Sequence, residues 1–230
     1  MKRLLTNLAI LATISSAASA QDITREDGPY FRVGAGVTAV SDWNQDFTTN
    51  PTAVFPAGPL ATSQTLTNGN GFTAGAALGF DYADGIRTEL EYRYASASID
   101  SFAAQGGIRP GLPTPPVNDS LSAHLLMSNF YFDFYNDSPI TPFLGGGVGG
   151  ALVTNENGDK DAALAYQGRV GLSFALGGGF SADMEYIYLR TNKLVYGPAD
   201  DEFIAGGPPV RLDGESFESS SAMISLRKPF

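Results

Sequence analysis

The chain has 230 residues, a formal net charge of −10 and no cysteine. The acidity argues against nucleic-acid binding, which needs a basic face, and the missing cysteine excludes disulfide frameworks, thiolate metal sites and cysteine nucleophiles. With 27 glycines and 11% aromatic residues, the composition fits short strands, tight turns and interfacial aromatics better than a helical bundle.

Residues 1–20 read as a cleaved export signal. Lys2 and Arg3 form a basic start, Leu4 to Ile14 an apolar stretch, and Ala18-Ser19-Ala20 a small-x-small cleavage site before Gln21. The apolar stretch is about eleven residues, short of the ~20 that a membrane helix needs. The remainder, 21–230, has no longer apolar run and reads as one domain.

Tyr30 to Val40 is the first expected strand. Phe31, Val33, Ala35, Val37 and Ala39 alternate with Arg32, Gly34, Gly36 and Thr38, the period of two of a strand with one apolar face. A polar segment near 41–70 reads as a long loop. The second strand, about 71–82, puts Phe72, Ala74, Ala76, Leu78 and Phe80 on one face, and Ala83-Asp84-Gly85 is a hairpin turn. The third, Ile86 to Ala97, sets Arg87, Glu89, Glu91 and Arg93 against Leu90, Tyr92 and Tyr94. A proline-containing segment, 98–119, is the second long loop. The fourth strand, near 121–135, alternates Asn129, Tyr131 and Asp133 with Phe130, Phe132 and Phe134.

The fifth strand, 142–152, is so rich in glycine that propensity alone does not identify it. After a middle-length loop at 153–162, Ala163 to Leu176 alternates again. Gly177-Gly178-Gly179 is a turn. Phe180 to Leu189 sets Met184, Tyr186 and Tyr188 against Asp183 and Glu185, a last long loop covers 190–216, and an eighth strand runs from about 217 onward. Long and short connections alternate, as in an all-β, eight-stranded antiparallel up-and-down transmembrane barrel.

Alternation leaves two arrangements open. The apolar face points inward in a soluble ligand-binding barrel and outward in a membrane barrel. Two features favour the membrane. The polar face carries Arg32, Arg87, Arg93, Arg169 and Arg227 with Asp81, Glu89, Glu91, Asp133, Asp183 and Glu185. Nearly balanced charge dominated by arginine suits a crowded lumen, where guanidinium groups pair with carboxylates. Tyr82, Tyr92, Tyr94, Phe134, Tyr166, Tyr186 and Tyr188 fall towards strand ends on the apolar face, as interfacial girdles do.

The segments GFTAGAALGFDYADGIRTELEYRY (71–94), TPFLGGGVGGAL (141–152), AYQGRVGLSFAL (165–176) and SAMISLRKPF (221–230) resemble the small outer-membrane barrels of Gram-negative bacteria. These are porin-like surface antigens related in architecture to the barrel domain of outer membrane protein A. The resemblance implies residence among outer-membrane lipids and lipopolysaccharide. It also implies insertion by the barrel assembly machinery, which recognises a final strand ending in an aromatic residue. Phe230 matches; Lys228 and Pro229 depart from the usual pattern.

Catalytic and metal signatures are weak. The single histidine, His124, with Ser120, Ser122 or Asp119 nearby, reads as a rim residue rather than part of a triad. Glu89 and Glu91, flanked by Arg87 and Arg93, read as an ion-pair network rather than an acid/base pair. Acidic groups at Glu156, Asp159 and Asp161 and at Asp200, Asp201 and Glu202 read as solvated loops, with divalent-cation binding the rival reading. No cofactor and no enzymatic activity are expected. The expected role is structural or surface-interacting through the loops; the alternative is a narrow channel for small solutes or ions.

Overall fold

The computed structural model describes residues 27–49, 63–82, 84–105, 120–155, 159–196 and 210–230. All their regular structure is strand: β1 (Gly28–Val40), β2 (Trp43–Thr49), β3 (Ser63–Tyr82), β4 (Ile86–Gln105), β5 (Ser120–Asp133), β6 (Ile140–Thr154), β7 (Lys160–Gly177), β8 (Phe180–Tyr196) and β9 (Val210–Pro229). The expected export signal, 1–20, lies outside the described residues. So do the acidic residues Glu156, Asp200, Asp201 and Glu202, and Asp119.

From β3 onward each strand pairs antiparallel with the next in chain order, and the sheet closes where β9 meets β1. β2 is not a ninth stave. It pairs with β3 and β9, the same neighbours as β1, with no change of register. The interruption at Ser41 and Asp42 is bridged from β3: Asn68 N donates to Asp42 Oδ1 (3.0 Å) and Asn68 Nδ2 to Ser41 O (2.7 Å). The result is a closed barrel of eight staves, the fold that the alternation predicts.

The three short connections, after β3, β5 and β7, share one end of the barrel, here the turn end; the long ones share the other, the loop end. Gly85 (φ 97°) and Gly177, Gly178 and Gly179 (φ 83°, 62° and 78°) make two of these turns in the left-handed region that glycine adopts without strain.

Side chains keep the facing that the pattern implies. Val37, Leu78, Leu90 and Val148 are about 60% exposed on the outer wall (62, 63, 57 and 61%). They belong to a belt of outward apolar residues that rings the barrel, far more than a water-facing wall carries. Aromatic side chains edge the belt. At the turn end Phe80 packs against Tyr82 (4.9 Å between centroids) and Phe132 meets Phe134 edge to face (5.0 Å). At the loop end Phe72 lies 5.7 Å from Tyr94. The soluble alternative required this face to point inward.

The expected loop boundaries are corrected. β3, β4 and β9 each have 20 residues, about twice the ~9–11 that cross a membrane. Their loop-end portions occupy part of 41–70, 98–119 and 190–216, and β6 and β7 narrow the 153–162 connection. These extensions escape the sequence pattern because their polarity is inverted. Outward positions become polar at Ser98, Asp100, Lys160 and Arg190, whereas inward positions become apolar at Leu66, Ile99, Leu194, Tyr196 and Phe217. A wall that has left the bilayer faces water and buries its apolar side, like any soluble sheet.

Candidate functional site

The turn-end half of the lumen is built by inward positions of seven staves. Arg32 comes from β1, Arg87, Glu89, Glu91 and Arg93 from β4, Asp133 from β5, Arg169 from β7, Asp183 and Glu185 from β8, and Arg227 from β9. Asp81 of β3 joins them. Arg32, Arg87, Glu89, Glu91, Arg93, Asp133, Arg169, Asp183 and Glu185 are all buried, at 5% exposure or less.

Five of these groups form one cluster. Arg32 reaches Glu89 (2.7 Å), Glu91 (3.3 Å) and Glu185 (2.6 Å). Arg169 is bidentate to two carboxylates: its Nη1 and Nη2 donate to Glu91 (2.8 and 3.1 Å), and its Nε and Nη2 to Glu185 (3.0 and 2.8 Å). Two guanidinium groups thus tie β1, β4, β7 and β8 across the lumen. Beside them Arg87 grips Asp133 with Nε and Nη2 (2.7 and 2.9 Å). Arg227 sits in looser pairs with Asp81 (3.2 Å) and Asp183 (3.6 Å).

Arg93 stands apart. Its described side-chain partner is neutral, Gln167 Oε1 at 2.6 Å, and its Nη1 has no hydrogen bond. It lies on β4 just before the lumen turns apolar at Ala95 and Ala97.

Sequence reasoning placed Tyr131 on the lumenal face but missed its role. Its ring lies under Arg87, Arg169 and Arg32, at 4.7, 5.5 and 5.9 Å from the centroid. Its hydroxyl donates to Glu89 (2.9 Å) and accepts from Arg32 (3.1 Å). Tyr30, Asn129 and Gln167 are also members: Tyr30 donates to Glu89 (2.8 Å), and Asn129 to Glu91 (3.2 Å). Parity along each strand carries the signal for all four. Two glycines of β6 acquire a reason here. A side chain at Gly145 would collide with the Tyr131 ring, and one at Gly147 with Asn129.

Both oxygens of Glu89, Glu91 and Glu185 accept hydrogen bonds from lumenal donors. For these three carboxylates the arrangement is a brace, each held by several donors at once. Removing one partner of such a buried pair leaves a charge stranded, at a cost of about 3–5 kcal/mol.

The loop-end half of the lumen is closed differently. Val40, Trp43, Leu66, Leu121, Leu125, Met127, Val153, Leu189, Leu194, Tyr196 and Phe217 form one apolar cluster. Trp43 is at its top, with Tyr196 and Phe217 at ring distances of 6.1 and 6.3 Å and its Nε1 donating to Ser216 O (3.2 Å).

His124 lies on the outer wall, away from this interior. Its Nδ1 is 2.8 Å from the Tyr92 hydroxyl and its ring 5.1 Å from that of Tyr94. Phe230 is exposed at the turn end, its N–H donating to Pro29 O (3.2 Å) where β9 closes on β1. Among the described residues no group of three or more His, Asp or Glu has metal-binding geometry.

Comparison with known proteins places this architecture. The family model for the outer membrane protein β-barrel domain matches residues 8–207. An outer membrane protein of Gluconacetobacter diazotrophicus is 28% identical over 186 residues, covering 72% of this chain and 47% of that protein. An uncharacterised protein of Brucella abortus is 29% identical over 148 residues, covering 53% and 52%. The chain spans about half the length of the curated relatives it matches. Among solved structures, OprG of Pseudomonas aeruginosa superposes with a TM-score of 0.59 at 14% identity, covering 91% of this chain and all of that one. Neisserial surface protein A gives 0.47 at 17% identity, covering 87% and 97%. At such identities the likeness is one of fold.

Proposed function

The chain belongs to the family of outer membrane protein β-barrel domains, and from that premise we propose that it is a plugged barrel with a structural, surface-displaying role. The observation that carries this reading is the twofold closure of the lumen. An ion-pair brace fills one half and an apolar cluster the other. A small gap beside the brace, lined by Arg32, Gly34, Gly75, Glu91, Met223 and Ser225, is too narrow for a water molecule. Eight staves leave room only for side chains, and here the side chains use it. The strand extensions support the display role, because β3, β4 and β9 run about twice the length that crosses a membrane and carry their extra length at the loop end. Barrel assembly through Phe230 and residence among lipopolysaccharide belong to the same reading.

The narrow channel is the rival. The purified, refolded chain should give no steady conductance in planar bilayers. A steady wild-type conductance that changes on Glu89→Gln with Glu91→Gln would establish the channel and overturn the plugged barrel. Display is tested separately: a protease site inserted between 196 and 210 should be cut on intact cells, while the barrel band still shifts on boiling. Protection on intact cells would refute outward display.

A further inference from the structure

At the loop end of the apolar belt, the outer wall of β4 to β7 is not smooth. A shallow, open groove of about 580 Å³ lies there. The strand register builds it. One row across the wall is Tyr92, Leu126, Gly150 and Leu164, and the next towards the loops is Tyr94, His124, Leu152 and Ala162. Gly150 makes the depression. A side chain there would meet nothing within 4 Å, while Leu126 and Leu164 stand on either side, 56% and 58% exposed. The following row is polar: Ser96, Ser122, Thr154 and Lys160. Lys160 is exposed and lies on the same outward stripe as Ala162 and Leu164. Its neighbour Asp161 is turned to the other face, accepting from Val195 N (2.7 Å). The His124 ring, held through Nδ1 by Tyr92, lies in the last row before the polar one.

An apolar trough that ends at a row of Ser122, Thr154 and the exposed Lys160 matches an anionic amphiphile lying along the wall. We propose that the groove is a specific lipid site, holding one hydrocarbon chain of a phosphate-bearing glycolipid of the outer leaflet, with the phosphate at Lys160. The site depends on the barrel standing in the outer membrane with its loop end outward. It is independent of whether the lumen conducts.

The test uses native mass spectrometry of the detergent-folded full chain titrated with bisphosphorylated lipid A. The wild type should retain one lipid A, and Gly150→Leu should weaken retention roughly tenfold, about 1.4 kcal/mol. Lys160→Gln should weaken it roughly fivefold, as expected for one basic residue at a membrane surface. Gly168→Leu adds the same bulk at another open position of the wall and should leave retention unchanged. If Gly150→Leu does not show the heat-shifted band, Ala162→Phe fills the same groove from an exposed position. Retention that is unaffected by filling the groove overturns the site. Equal loss in Gly168→Leu, or equal binding of dephosphorylated lipid A or phosphatidylglycerol, also overturns it.

Discussion

The two halves of the barrel are built from the same strands and obey opposite rules. Along β8, Asp183 and Glu185 point into the lumen near the turns, whereas Ile187 and Leu189 point into it two steps further on. β5 runs the same course in reverse, from Leu121, Leu125 and Met127 to Asn129, Tyr131 and Asp133. Outside, the exchange runs the other way, from the apolar belt to Ser98, Asp100, Lys160 and Arg190. The medium outside sets the polarity. In lipid, an apolar outer face and a charged inner face stop a strand from slipping by one residue, because a slip would expose charge to hydrocarbon. In water the outer face must be polar, so the lumen becomes an ordinary apolar core. Arg93 stands at the border, buried like the brace but bonded to a neutral amide.

This contrast can be broken at measurable points. The largest effect is expected in the brace. Arg169→Met removes one of the two guanidinium groups that Glu91 and Glu185 share and leaves both to Arg32, which should cost about 3–5 kcal/mol, read from the urea dependence of the heat-shifted band. Next is the apolar cluster, where Leu125→Ala should cost about 2–5 kcal/mol through the cavity it leaves. Trp43, the single tryptophan, reports on that half. Its emission should move to the red in Leu125→Ala and stay in place in folded Arg169→Met, and a shared shift would show that the halves are one unit. Arg93→Met removes a cation whose described hydrogen bond goes to a neutral amide, so its cost should be that of one charge-assisted hydrogen bond, about 1.5–3 kcal/mol. A loss equal to that of Arg169→Met would show that Arg93 belongs to the brace. The smallest effect belongs to the exposed pair Arg190–Glu218 (3.1 Å). Glu218→Ala should change stability by no more than about 1 kcal/mol, less at high salt.

The charged strand Arg87-x-Glu89-x-Glu91-x-Arg93 was legible because both of its faces differ sharply. Parity on each strand then placed Arg32, Asp133, Arg169, Asp183, Glu185 and Arg227 on one side without knowledge of any partner. The glycine-rich β6 was legible only from its neighbours, since Gly145 makes room for the Tyr131 ring and Gly147 for Asn129, both on β5. The extensions of β3, β4, β8 and β9 were hidden for a different reason. Their outward serines, asparagines and charges resemble loop sequence, and the few inward apolar residues are too widely spaced to announce a strand.

The sequence by itself determined the eight staves, the short turns at one end and the lipid-facing side, because alternation records the difference between the two sides of a strand. The tertiary structure alone decided which arginine meets which carboxylate. Arg32 and Glu185 are 153 residues apart in the chain, and Arg169 and Glu91 are 78 apart. Only closure of the barrel brings such pairs within 3 Å, and only closure shows that the lumen is charged where the wall meets lipid and apolar where it meets water.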